Sequence, residues 1–314
     1  MGPEGPGGVA LSATVDEELT LRSEPGPATR SGSLRLPWAW LGALPFFAYA
    51  LFFLLVPAGD VMIGAFRDDA GNWTMHNIDL LRQQQFQNAY ENTLKLGVFT
   101  ALTGGIFGAL LCYFALHPSG PRAVRAVVTA FAAVSSQFGG VPLAFFWIST
   151  LGTVGVVTKF LHDAFGFDVY SHGFTIFGFW GVFLAYVYFQ VPLMILVISP
   201  AIDGLKPEWR EAAESLGASG RTYWLKVGLP VLAPSMLGAM VLLFGNAVAA
   251  QATAYALTGG GYNLVTNEIT NVMNGNVLSD PHAGHALALG LVLIIVLAML
   301  VYLPLQRRAA RWMR

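Results

Sequence analysis

Residues 201–234 read AIDGLKPEWREAAESLGASGRTYWLKVGLPVLAP and form a polar stretch between two long apolar segments. Pro207 suits the first position of a helix, and Glu208 and Glu211 place negative charge near the positive end of that helix. Gly217 is well placed to end it, because glycine readily adopts the left-handed backbone of helix ends. The stretch therefore predicts a short helix of about ten residues, too short to cross a bilayer.

One face of this predicted helix is apolar but small at its centre. Trp209, Ala212, Ala213 and Leu216 recur on it at helical spacing. A helix that anchors to lipid normally presents bulky apolar side chains, whereas two alanines suit a protein groove that approaches the backbone closely. Periodicity alone leaves two hypotheses open, a docking helix and a helix lying on the bilayer surface.

The composition is that of an integral membrane protein. Of 314 residues, 55% are hydrophobic and 11% are charged, whereas soluble globular chains carry roughly 25% charged residues. Six apolar segments approach the roughly 20 residues that a membrane helix needs, and none of them contains Asp, Glu, Lys or Arg. They are 38–59, 96–116, 126–148, 174–198, 229–252 and 284–305. We therefore expect an all-α integral membrane protein with six transmembrane helices.

The basic residues predict how the chain is oriented. Thirteen of the 17 Lys and Arg residues fall on the side of both termini and of loop 199–228, and four fall on the other side. By the positive-inside rule that side is cytoplasmic. The Gly- and Pro-rich residues 1–35 are acidic where a secretion signal is basic, and they predict a disordered cytoplasmic tail ahead of a six-span domain at 36–314.

Polar side chains within the spans allow two interpretations. Gln137, Gln190, Asn246 and Gln251 are neutral amides within or at the ends of spans. They could form hydrogen bonds between helices, or they could line a path for a polar solute. Closely packed helices are also expected at Gly104 and Gly108, a pair of small residues four positions apart. Kinks are expected where prolines lie inside spans, at Pro45, Pro142 and Pro192.

Several function classes find little support. The net charge of −1 argues against nucleic acid as a partner, and the single cysteine, Cys112, makes no thiolate metal cluster. Asp280, His282 and His285 could be metal ligands, but a lone H-x-x-H is more often part of a solvated loop. We predict no metal, no cofactor and no catalytic residue, since the chain also lacks a G-x-x-x-x-G-K-[ST] phosphate cradle.

Gly217-Ala218-Ser219-Gly220 spells the G-x-S-G of rhomboid proteases. That chemistry needs the serine inside the membrane with a histidine close by, and Ser219 is expected in a cytoplasmic loop. An ion-coupled carrier or a channel is the stronger alternative. Such proteins usually place ionisable groups within the spans, where this chain has only His285, at the edge of the sixth.

At the polar loop the chain resembles the permease subunits of binding-protein-dependent ABC importers. The family signature is E-A-A, three residues, G, nine residues, I, one residue, L-P. Glu211-Ala212-Ala213, Gly217 and Leu229-Pro230 match it, and Val227 stands in place of isoleucine. The six spans, with the signature before the last two, extend this resemblance over about residues 38–314.

The resemblance implies a type I importer permease with a coupling helix at about 206–218. In this family that helix docks on a cytoplasmic ATPase, which implies docking contacts at Glu211, Ala212, Ala213, Leu216, Gly217 and Ala218. It also implies four kinds of partner: two ATPase subunits, a second permease subunit expected to be a distinct homologue, an extracytoplasmic solute-binding protein and a prokaryotic inner membrane. Leu216–Ser219, reading LGAS, looks most like the polyamine, ferric iron, sulfate and thiamine branch, so we expect a polyamine-type solute.

Overall fold

A computed structural model describes residues 39–68, 70–115, 121–274 and 281–310. The predicted tail at 1–35 lies outside these ranges. The chain divides into two compact units, Met1–Leu55 and Val56–Arg314. The described part of the first unit is helix α1, Ala39–Ala50, followed by a π-helical turn at Leu51–Leu55. Pro45 lies inside α1, as the sequence predicts.

The second unit is built from thirteen helices in the described residues, together with short 3-10 and π segments. They are α2 Val56–Gly64, α3 His76–Leu80, α4 Gln84–Ala115, α5 Arg122–Gln137, α6 Gly140–Leu151, α7 Val156–Phe165, α8 Phe179–Asp203, α9 Pro207–Ser215, α10 Gly220–Tyr223, α11 Leu229–Ala249, α12 Gln251–Thr258, α13 Val265–Asn274 and α14 Pro281–Ala310. In the described ranges the β-structure amounts to one isolated bridge, between Arg67 and Trp73. The all-α prediction is confirmed.

Six stretches are long and apolar enough to cross a membrane, which confirms the predicted number of spans. They are Gly42–Gly64, Gln84–Ala115, Gly140–Phe165, Phe179–Asp203, Gly220–Ala249 and His282–Pro304. Five of them overlap a predicted span over most of its length. Most of the helices continue beyond the apolar segment, so their ends include charged residues such as Glu91, Lys95 and Asp203.

The third span was predicted wrongly as one helix over 126–148. The structure breaks it at Phe138–Gly139, between α5 and α6. Gly140 has φ +68°, which favours glycine, and its N–H donates to Thr253 Oγ1 at 2.7 Å rather than to a preceding carbonyl. Pro142 therefore lies in the first turn of α6 instead of kinking a continuous helix. The stretch long enough to span here is α6 with α7, Gly140–Phe165.

Helix α8 is the central element of the second unit, and α4 packs on it through small residues. A β-carbon on Gly104 would lie 2.6 Å from Gln190 Cβ, and one on Gly108 would lie 2.5 Å from Met194 Cβ. Both glycines are buried, so the predicted close packing is confirmed. One apolar cluster surrounds the first half of α8, near Tyr186, and a second surrounds its last half.

Candidate functional site

The predicted loop helix is α9, Pro207–Ser215, and it follows α8 after three residues. Pro207 is its first residue and Glu208 lies in its first turn, as expected for a helix N-terminus. Leu205, just ahead of it, packs against the apolar cluster around the last half of α8. The loop helix is therefore attached directly to a membrane-spanning helix.

Gly217 ends this helix in a Schellman motif. The N–H of Ala218 donates to the carbonyl of Ala213 at 3.0 Å, and that of Gly217 donates to the carbonyl of Glu214 at 2.9 Å. Gly217 has φ +77°, the left-handed conformation that a side chain disfavours. The expectation that Gly217 supplies the turn is confirmed.

The apolar face of α9 is left uncovered by the described part of the chain. Leu216 is 89% exposed and Trp209 is 39% exposed. Ala212 is also exposed, and Ala213 and Ala218 are half-buried. An exposed leucine beside two alanines and a tight turn forms a shallow surface that suits contact with another molecule.

One of the acidic residues of α9 forms an ion pair with an arginine of the same helix, and Glu211 does not. Arg210 Nε donates to Glu214 Oε1 at 2.9 Å, and this hydrogen bond raises the pKa of Arg210 above its ordinary value. Glu211 is exposed and forms no ion pair with any residue that the structure describes. Its backbone carbonyl accepts a hydrogen bond from Ser215 Oγ at 2.9 Å. The Glu211 carboxylate is thus available to a cationic partner.

Ser219 has a structural task in this loop. Its Oγ accepts a hydrogen bond from the N–H of Thr222 at 3.3 Å and lies 3.0 Å from Thr222 Oγ1. It therefore caps the N-terminus of α10. The G-x-S-G match is accounted for by this cap, at an exposed position outside the apolar core.

Two of the four predicted polar residues within the spans lie together. Gln190 is fully buried on α8, and its Nε2 donates to the carbonyl of Leu243 at 2.7 Å. Asn246 Nδ2 lies 3.4 Å from Gln190 Oε1 and is a long hydrogen-bond donor to it. Gln190 thus joins α8 to α11, the interhelical interpretation, whereas Asn246 is exposed.

The other two lie at breaks between helices. Gln137 is exposed and is the last residue of α5, just before the break at Phe138. Gln251 is the first residue of α12, and its Nε2 donates to Thr270 Oγ1 of α13. The breaks have nearly the same backbone, with φ −81° and ψ 91° at Phe138 and φ −75° and ψ 86° at Ala250.

Sequence reasoning missed the residues that hold these breaks together. Thr253 Oγ1 accepts the N–H of Gly140, and the buried Tyr186 hydroxyl donates to the carbonyl of Ala250. The consecutive glycines at 139 and 140 could have indicated the first break. Nothing comparable marks the second, because Ala250 lies in a run of small apolar residues.

The histidines weighed as metal ligands form a pair. The ring centroids of His282 and His285 are 5.7 Å apart at the start of α14. Asp280 lies outside the described residues. Within the described ranges, no three His, Cys, Asp or Glu side chains come together as a metal site.

Comparison with known proteins gives the family. The model of the binding-protein-dependent transport system inner membrane component matches residues 101–314. A probable sulfate transport system permease protein, cysT, of Nephroselmis olivacea is 26% identical over 224 residues, covering 71% of this chain and 72% of that protein. A putative ferric transport system permease protein, FbpB 1, of Haemophilus influenzae is 22% identical over 82% of this chain. This chain spans only 40% of that ferric relative's length.

A solved structure shares the fold. A bacterial alginate ABC transporter, crystallised in complex with an alginate pentasaccharide-bound periplasmic protein, superposes with a TM-score of 0.66 at 20% identity. The match covers 86% of this chain and 94% of the transporter chain. The family model covers more than half of this chain, including α9 and Gly217. The chain therefore belongs to the family of inner-membrane components of binding-protein-dependent transport systems.

Proposed function

We propose that the chain is the permease subunit of an ABC importer and that α9 is the surface on which a cytoplasmic ATPase docks. The exposure of Leu216 at the end of α9 supports this most directly. An apolar side chain that is 89% exposed gains free energy when a partner covers it. A bilayer could also cover it, but the neighbouring Glu208, Glu211 and Arg210–Glu214 pair make most of α9 strongly polar.

The chemistry of α9 indicates what the partner surface offers. Leu216 and Trp209 call for an apolar pocket, and the small Ala212 lets the pocket wall approach the helix backbone. The charge of Arg210 is balanced by its ion pair with Glu214, so the carboxylates of Glu208 and Glu211 give the surface of α9 a net negative charge. The proposed ATPase groove is therefore apolar at its floor and basic at the edge that meets Glu211.

The remaining partners follow from the same proposal. A pair of such permeases works with two ATPase subunits and an external solute-binding protein, and the alginate transporter bound to its periplasmic protein illustrates the last contact. The Lys and Arg distribution supports a cytoplasmic location for α9 and both termini. The second permease is expected to be a distinct homologue.

The substrate assignment rests on the relatives that carry names. These are called sulfate and ferric transport permeases, and neither name mentions a polyamine. We therefore propose that the solute of this chain is a small inorganic ion of that kind, and these two relatives lend no support to a polyamine. Asn246, Gln137 and Gln251 are proposed to border the solute path, and the buried Gln190 is proposed to position Asn246.

Reversing the charge of Glu211 tests the docking proposal. In membranes that contain the matching ATPase, Glu211→Lys is expected to insert normally but to lose both ATPase co-purification and ATP-driven uptake. Asp163→Lys is the matched control, because Asp163 is an exposed acid on α7, well away in sequence from α9. Equal uptake and equal ATPase recovery by Glu211→Lys and the wild type, at matched expression, contradict the assignment.

A carrier or channel makes the opposite prediction in the same preparation. It moves solute in vesicles that lack any ATPase, and its activity is indifferent to substitution of Glu211. Uptake that persists without ATP therefore supports the alternative, and uptake that requires ATP and the ATPase subunit excludes it.

A further inference from the structure

An ion pair connects the segment just before α9 to helix α5. The Arg125 guanidinium, in the first turn of α5, donates to the Asp203 carboxylate, the last residue of α8. Four residues after Asp203, α9 begins at Pro207. Both side chains are a little under half exposed, at 47% and 41%, so water weakens the pair without removing it.

Helix α5 is suited to transmit a displacement over its length. Its 16 residues contain neither proline nor glycine, the usual causes of kinks. They span about 24 Å at 1.5 Å per residue. Helix α8, in contrast, has Pro200 three residues before Asp203 and Pro192 further along. A displacement of Asp203 is therefore transmitted along α5 with less bending than along α8.

The far end of α5 is the break at Phe138–Gly139. Immediately beyond it, the N–H of Gly140 donates a hydrogen bond to Thr253 Oγ1 in α12. Ala250, the residue just before α12, forms the second break. The described contacts thus connect α9 to both breaks in sequence: Asp203, Arg125, α5, Gly140 and Thr253. Residues at the ends of helices, such as those at these two breaks, are where hinge movements are usually absorbed.

We propose that Arg125 and Asp203 are positioning residues through which movement of α9 enters α5 and reaches the paired breaks. The inference rests on the proposed function, because it takes an ATPase to move α9. The pair acts on coupling between ATP hydrolysis and transport, and it does not contribute to the docking surface itself. Its loss therefore separates hydrolysis from solute movement while the ATPase stays bound.

The test exchanges the two charges in the complex with its ATPase and binding protein, reconstituted in vesicles. Arg125→Asp and Asp203→Arg are each expected to lower solute moved per ATP by about fivefold, the low end of the usual coupling between two sites, because the pair is partly exposed. The double variant Arg125→Asp/Asp203→Arg restores the ion pair and is expected to recover most of that loss. Arg82→Asp is the matched control, since it breaks the exposed Arg82–Asp79 pair elsewhere in the chain.

ATPase recovery on the purified complex is measured for every variant. The proposal is supported if the single variants keep the ATPase bound and hydrolyse ATP but move less solute per ATP, and if the double variant recovers transport. Single variants that transport like the wild type overturn it, and so does a double variant no better than the singles. Loss of bound ATPase from the singles also overturns it, because the pair then acts on docking. If the wild type itself binds no ATPase, the proposed function fails instead.

Discussion

At the scale of single residues, Gly217 connects backbone conformation to function most directly. Its φ of +77° and the two hydrogen bonds of the Schellman motif place Leu216 at the exposed end of α9. A residue other than glycine in this conformation costs about 1–2 kcal/mol, and a β-branched one costs more. The orientation of Leu216 therefore depends on the absence of a side chain at the next position.

We expect Gly217→Val to lower the affinity for the ATPase by roughly tenfold, which corresponds to about 1.4 kcal/mol. Binding of the purified ATPase to the variant in nanodiscs measures this. Gly217→Asn is the control, because asparagine tolerates the left-handed conformation better than other side chains. A valine variant that binds as tightly as the asparagine variant argues against a role for this turn in docking.

A substitution at Gly108 tests the packing of α4 against α8. A β-carbon there meets Met194 Cβ at 2.5 Å and the carbonyl of Val191 at 2.7 Å, so α4 and α8 must separate. Gly108→Ala is expected to lower the free energy of unfolding by about 1–3 kcal/mol or to prevent assembly. Gly245→Ala is the matched control, since a β-carbon at Gly245 meets nothing within 4 Å. Thermal unfolding in mild detergent compares the two, and equal melting temperatures refute the packing account.

At the scale of elements, the paired breaks are the feature that hydropathy does not reveal. Ala250 ends a run of four small apolar residues, 247–250, and the sequence alone predicts a continuous helix to residue 252. The break exists because tertiary partners satisfy the freed backbone groups: Thr253 accepts from Gly140, and Tyr186 donates to Ala250. Such partners are distant in sequence, so no local pattern reports them.

We expect Thr253→Ala to destabilise the contact between α6 and α12. The Gly140 N–H then loses its acceptor at a partly buried site, which costs about 1 kcal/mol. Faster hydrogen exchange at Gly140 and a lower melting temperature measure the effect. Thr253→Ser keeps the hydroxyl and is expected to exchange nearly as slowly as the wild type. Equal exchange rates in the alanine and serine variants are incompatible with this hydrogen bond holding the break.

At the scale of the whole molecule, the sequence predicts what depends on hydrophobicity and on local backbone chemistry. The number of spans, the close approach of another helix at Gly104 and Gly108, and the end of α9 at Gly217 are all confirmed. Each rests on a pattern within one segment. The third span and the Arg125–Asp203 pair depend on which helices meet, and that information is not local.

Family membership makes the chain a transport component and not an enzyme. Its own residues supply an exposed surface on α9 and the membrane-spanning helices, and the proposed energy source lies in another subunit. The exposed, net acidic α9 agrees with this interpretation, because the described residues of the chain leave its apolar face uncovered. We propose that an ATPase, and not the bilayer, covers this helix.

The most direct test is a photo-crosslinking amino acid introduced in place of Leu216, in membranes that also contain the matching ATPase. We predict that the probe at position 216 crosslinks to the ATPase subunit. The Leu216 side chain that it replaces is 89% exposed and is the proposed apolar contact of the docking surface. The same probe at Phe165, which is 72% exposed on α7, is expected to leave the ATPase unlabelled. Crosslinks from position 216 to lipid alone, with the ATPase present and unlabelled, would contradict the account.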